Sequence, residues 1–141
     1  MKSYAATALI AASPDTVWAI LTDAPSYSQW DSGVERVEGR IARGEKIRVF
    51  SKISPGRAFP VTVTRLIPEH TMVWSGGMPL GLFKSVWTFT LSPHRTDAIS
   101  FTMREEYTGV LLSLIWRSMP DLGPSFAQFA AGLKREAERA R

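Results

Sequence analysis

The chain has no cysteine among its 141 residues. That single absence removes disulfides, thiolate metal sites and a cysteine nucleophile, and it fits a reducing compartment; the expected location is cytoplasmic. Long apolar runs are missing too. Nothing approaches the roughly 20 apolar residues that cross a bilayer, so no transmembrane segment is expected. The start, MKSYAATALIAASPDTVW, holds an apolar run of only about eight residues, has no strongly basic opening and runs straight into patterned structure, which reads as a strand rather than a signal peptide.

Histidine is scarce. His70 and His94 stand in expected turns beside Glu69 and Pro93, and neither has a second histidine or carboxylate at metal-ligand spacing, so surface positions and no metal site are expected. No glycine-rich phosphate loop is present: Gly76-Gly77 with Pro79 and Gly81 is not followed by a helix and reads as a flexible hairpin loop, suited to gating a cavity. No cofactor is expected. Ser75, Ser85 and Ser113 lack a G-x-S-x-G context, which leaves a nucleophilic triad without support. Charge of one sign is not segregated either. The 17 Lys and Arg against 13 Asp and Glu give +4, but signs alternate, as in Arg135, Glu136, Glu138, Arg139 and Arg141. A nucleic-acid binder would show a one-sided basic stripe, so none is expected as partner.

What the chain does have is apolar and aromatic volume: 45% apolar residues, with 5 Trp, 7 Phe and 3 Tyr. Its length suits one domain over residues 1–141 with one core. Ser3 to Ala11 reads as a first strand. Ser13-Pro14 is a helix start, because proline at the first helical position loses no intrahelical hydrogen bond, and a helix is expected from Pro14 to near Asp23. Pro25 opens a second short helical turn through Tyr27 to Trp30, which Asp31-Ser32-Gly33 breaks.

From Val34 the apolar period becomes two, with turn residues about every ten positions, the pattern of consecutive antiparallel strands. Six are expected, over Val34–Ile41, Glu45–Ile53, Phe59–Ile67, Thr71–Ser75, Phe83–Leu91 and Asp97–Tyr107; with the first strand they make a seven-stranded sheet. Alternation puts Phe83, Ser85, Trp87, Phe89 and Leu91 on one face, and Ile99, Phe101, Met103, Glu105 and Tyr107 likewise. Lys84, Thr88, Thr102 and Arg104 belong to a wet face. Leu122, Phe126, Phe129, Leu133 and Ala137 recur at helical spacing. A helix from about Asp121 to Arg139 would be about 28 Å long, a match for the width of seven strands at about 4.8 Å each. Pro120 and Pro124 predict a break between this helix and Leu111–Met119.

The order of strand, two small helices, six strands and long helix, together with S-P-x-x-V-W at Ser13 to Trp18 and D-x-x-x-Y-x-x-W at Asp23 to Trp30, resembles the START-like, or SRPBCC, superfamily, in its polyketide cyclase/dehydrase and lipid-transport branch. The resemblance implies an α+β helix-grip fold, with an antiparallel sheet curled around a long C-terminal helix and an apolar cavity between them. It does not imply catalysis, since fold and function are separable.

The residues expected to line that cavity are Trp30, Val63, Trp74, Trp87 and Phe89, with Phe101, Met103, Phe126 and Phe129. Three polar groups join them. Glu105 shares the inward face with Phe101 and Met103, where desolvation raises a carboxyl pKa and suits it to acid or base work; a fraying strand end would instead leave it hydrated. Tyr107 on the same face is a phenolic donor. Arg65 follows Val61 and Val63 in strict alternation, which aims a guanidinium at the inner wall to meet a ligand carboxylate or Glu105, whereas a bulge would turn it outward. The expected function is binding or transport of an apolar or aromatic small molecule, by a monomer or homodimer. A cyclase or dehydratase using an inward carboxyl, with Glu105 and Tyr107 as its catalytic candidates, is the alternative; a protein-interaction module is a third.

Overall fold

The computed structural model describes residues 1–140. Strand β1 (Lys2–Ile10) leads into helix α1 (Pro14–Leu21) and a 3-10 turn (Ala24–Ser28). Six strands follow: β2 (Val34–Glu38), β3 (Lys46–Ser51), β4 (Ala58–Ile67), β5 (Thr71–Met78), β6 (Phe83–Arg95) and β7 (Ala98–Thr108). Helix α2 (Leu112–Ser118) and helix α3 (Gly123–Ala140) close the chain. All seven strands form one antiparallel sheet in the order β1-β7-β6-β5-β4-β3-β2. Because β1 and β2 occupy opposite edges, α1 and the 3-10 turn carry the chain from one edge of the sheet to the other. The sheet curls around α3 as a helix-grip fold.

The apolar face of α3 is the one its spacing predicts. Phe126, Phe129, Leu133 and Ala137 are buried against the sheet, and Leu122 packs at the margin. Gly132 sits in this face because a Cβ there would stand 1.9 Å from the Asp31 carbonyl oxygen; only glycine lets the helix approach that turn. Asp31 then fastens the contact, accepting from Gln128 Nε2 at 2.6 Å and from Arg135 at 2.7 Å. At the other edge Lys134 Nζ donates to the Leu9 carbonyl at 2.8 Å, and the Ala11 amide donates to Glu138 at 2.9 Å.

Three strands end well away from the sequence expectation. β2 ends at Glu38, short of Ile41. β5 continues through Gly76-Gly77, which pair with Ser85 and Lys84, so these glycines are strand residues and the hairpin shrinks to Pro79–Gly81. They permit close strand approach: added Cβ atoms would meet the Pro60 carbonyl oxygen at 2.8 Å and the Phe83 carbonyl oxygen at 2.3 Å. β6 runs past Ser92-Pro93 to Arg95. Its pairing with β5 ends at Thr90, so Pro93 is on a stretch paired only with β7, where a missing N–H is tolerated.

Candidate functional site

Strand register assembles the site. Tyr4 pairs with Glu105, Glu105 with Trp87, Trp87 with Trp74 and Trp74 with Val63. One row across five strands thus brings together four of the residues expected from sequence, Val63, Trp74, Trp87 and Glu105, and adds Tyr4. The adjoining row holds Tyr107, Ser85 and Gly76. Side chains opposite one another in a sheet stand about 5 Å apart, so the Glu105 carboxyl lies between two aromatic residues on the inner wall, not at a frayed strand end.

Tyr107 Oη donates to Glu105 Oε1 at 2.6 Å. Burial pushes the Glu105 carboxyl above its ordinary value, while hydrogen bonds from Tyr107 and Ser85 partly offset that rise. Burial also pushes the Tyr107 phenol up, with the Glu105 charge adding to the effect. The pair therefore joins a carboxyl inclined to hold its proton to a phenol that stays neutral.

The wall around this pair is aromatic. Trp87 stacks on Phe126 with ring centroids 5.8 Å apart, and Tyr4 lies 5.7 Å from Phe126. Trp116, from α2, stacks on Tyr4 at 5.4 Å and meets the Tyr107 ring at 5.5 Å. Deeper in, Trp74 contacts Trp87 at 5.2 Å and Phe89 at 4.8 Å, and Phe129 lies against Phe101, Phe89 and Trp30. Phe89, Phe101, Met103 and Phe129 are fully buried, whereas Tyr4, Ser85, Trp87, Glu105 and Trp116 are half-buried. The space between sheet and α3, where the sequence leads one to expect a cavity, is filled by contacting rings at its Phe129 end. Access improves toward Glu105, beneath a helix that buries only Leu112.

Three buried indole N–H groups, those of Trp30, Trp74 and Trp87, have no acceptor among the described residues. A buried donor without a partner costs about 1–3 kcal/mol. Trp74 and Trp87 belong to the Glu105 row, so this wall combines apolar surface with donors that face no protein acceptor.

Arg65 is not part of it. Val63 pairs with Trp74 but Arg65 pairs with Val73, a bulge that inserts Thr64 and reverses the alternation beyond it. Leu66 turns toward the core in place of Arg65, which is exposed. The inward guanidinium and its pairing with Glu105 are thereby corrected. His70 and His94 are exposed; His70 borders a hollow of about 70 Å³ with Glu69, Leu91 and Ile99. A groove of about 600 Å³ follows the outer face beside Thr62, Thr64, Ser75 and Lys84, away from the Glu105 row.

Sequence reasoning missed Tyr4 and Trp116. Tyr4 begins a Tyr4, Ala6, Ala8, Ile10 alternation in β1 that carries a period-two signal, but its neighbour across the sheet is a strand about a hundred positions away. Trp116 is placed by the break before Pro120, whose direction no local pattern specifies.

The chain belongs to the polyketide cyclase/dehydrase and lipid transport family, which matches residues 1–139. Among solved structures it is similar to a START superfamily protein from Mycobacterium smegmatis, at 18% identity over 99% of both chains with a TM-score of 0.73. It is similar to norcoclaurine synthase from Thalictrum, solved as a point mutant with a transition state analogue, at 18% identity over 99% of this chain and 95% of that one, TM-score 0.71. The di-domain ARO/CYC protein BexL of the BE-7585A biosynthetic pathway also matches, at 16% identity over 98% of this chain and 47% of that one, TM-score 0.73. Identities this low speak to the fold alone. No curated protein matches the chain.

Proposed function

We propose that the protein binds an apolar or aromatic small molecule against the inner row Tyr4, Glu105, Trp87 and Trp74, beneath α2. The observation that carries this reading is the convergence on one aromatic wall of the Glu105–Tyr107 pair and the unpartnered indole donors of Trp74 and Trp87. Ring faces supply dispersion and desolvation, and a few polar groups fix orientation, the usual division of labour in small-molecule sites. A ligand carbonyl or hydroxyl would accept from an indole that has no acceptor among the described residues. Half-buried Trp87, Tyr4 and Trp116 would have to part to admit it, and α2, which buries only Leu112, has little buried surface to lose. The name of the family supports a ligand of polyketide-like or lipid character.

The test is native mass spectrometry after incubation with an anthraquinone and, separately, an unsaturated fatty acid. Retention of either by the wild type and its loss in Trp87→Ala, with retention kept in Arg65→Ala, is the expected result. Failure to retain any hydrophobic probe counts against a carrier.

A second reading is favoured by the placement of Glu105 in the aromatic wall, where Tyr107 donates to it at 2.6 Å and burial pushes its carboxyl upward. A carboxyl that burial makes slower to give up its proton can protonate a carbonyl or a leaving hydroxyl and later take a proton back, the work of a cyclase or dehydratase. Glu105→Gln should then abolish turnover of a cyclisable polyketide mimic while leaving its binding intact; unchanged turnover removes this reading.

A further inference from the structure

The end of the molecule that holds α2 exposes apolar side chains that the interior does not need. Leu80 is 94% exposed, Val110 79%, Leu114 65% and Met78 48%. They come from two segments that the backbone ties together: the Val110 amide donates to the Gly81 carbonyl at 3.4 Å and the Leu111 amide to the Leu82 carbonyl at 2.9 Å. Gly109 allows this closeness, since a Cβ there would stand 2.5 Å from the Leu82 carbonyl oxygen. Leu80 is held in a left-handed backbone conformation, φ 61°, which disfavours any side chain and which glycine would adopt freely.

The two segments themselves carry charge of one sign. Residues 78–84 and 108–119 contain Lys84 and Arg117 and no Asp or Glu. Lys2 adds a third cation, its ammonium 5.8 Å from the Trp116 ring centre. The Arg36, Glu38 and Arg48 cluster pairs its charges, whereas Lys2, Lys84 and Arg117 form no ion pair among the described residues.

We propose that this tip is a docking surface for an anionic lipid bilayer, with Leu80, Val110 and Leu114 entering the interface and Lys2, Lys84 and Arg117 meeting phosphate headgroups. The occupant follows from charge and shape. A second copy packed on the same patch would bring its own Lys84 and Arg117 against these cations, whereas anionic lipid complements them. A side chain standing 94% exposed at the point of a hairpin offers no concave complement to a rigid partner, but inserts readily into a deformable interface. Docking here would put α2 and the Glu105 row next to the membrane, yet it is read without any ligand and stands or falls separately from the ligand reading.

The test is co-sedimentation of the full chain with vesicles of phosphatidylcholine alone and of phosphatidylcholine mixed equally with phosphatidylserine. Binding to the mixed vesicles, weakened by added salt, is expected. Leu80→Gly with Val110→Ser should weaken it about tenfold or more, since burial of these two side chains supplies much of the interfacial energy. Both positions are exposed and glycine suits the Leu80 backbone, so circular dichroism should show an unchanged fold. Lys84→Glu with Arg117→Glu should weaken it similarly. No binding to mixed vesicles, equal binding by the Leu80→Gly, Val110→Ser variant, or concentration-dependent self-association that the same substitutions abolish would overturn the proposal, the last in favour of a second copy of this chain.

Discussion

Tyr107 Oη donates to Glu105 Oε1 at 2.6 Å, two residues apart on one strand face and enclosed by the rings of Tyr4, Trp87 and Trp116. The contact works against burial: desolvation favours the protonated carboxyl, and the phenolic donor favours the ionised one. Desolvation prevails. The chain thus holds a titratable group inside a largely aromatic wall.

This has a pH signature. A carboxyl raised in the folded state binds its proton more tightly there than in the unfolded chain, so its contribution to stability is complete below the ordinary value of 4.5 and is lost as pH rises through the folded value. Glu105→Gln removes that loss. The stability of the variant relative to wild type should grow as pH rises above 4.5 and then level off, read from denaturant midpoints across the range. A difference independent of pH contradicts a raised carboxyl.

Tyr107→Phe tests the donor separately. It removes the 2.6 Å hydrogen bond without emptying the wall, so stability should fall by about 1–2 kcal/mol. The Glu105 titration, followed by carboxyl carbon shifts, should move further up. A titration that stays in place would mean that the phenol is no partner of the carboxyl.

Trp116→Ala addresses access. The indole stacks on Tyr4 and Tyr107 from a helix with one buried residue, so its loss should cost only about 1 kcal/mol while speeding the release of a bound anthraquinone. Slower or unchanged release in stopped-flow measurements argues against α2 as the lid.

Gly132→Ala should be much more damaging than its one added methyl suggests. The Cβ would stand 1.9 Å from the Asp31 carbonyl oxygen, and either α3 or the turn must move, at a cost of about 3 kcal/mol. Arg65→Ala, by contrast, should change stability by no more than about 0.5 kcal/mol, because the bulge at Thr64 leaves that side chain in solvent; thermal unfolding of the two variants side by side checks both.

Arg65 also shows where sequence reading stops. Alternation in β6 and β7 identified Trp87, Phe89, Phe101, Met103, Glu105 and Tyr107 as inward, and the spacing of Leu122 to Ala137 identified the face of α3, because both patterns reflect burial residue by residue. One inserted residue in β4 inverts such a pattern without leaving a mark in composition. The Tyr4–Glu105–Trp87–Trp74 row is a property of register between strands, set by turns and edges far apart in the chain, so its members were legible singly and their alignment was not. Gly76-Gly77 misled in the opposite way. Glycines that read as a flexible loop are needed inside a strand because neighbouring backbones approach too closely for a Cβ.

The most direct test of the binding claim is the set of indole N–H resonances. The chain has 5 tryptophans, few enough to assign by substitution in a proton–nitrogen spectrum. On titration with an anthraquinone, the Trp87 and Trp74 indole signals should shift downfield as their protons find an acceptor, with the Glu105 carboxyl carbon moving in parallel. Shifts confined to residues of the outer groove, such as Thr62 and Lys84, with both indoles unmoved, would contradict the account.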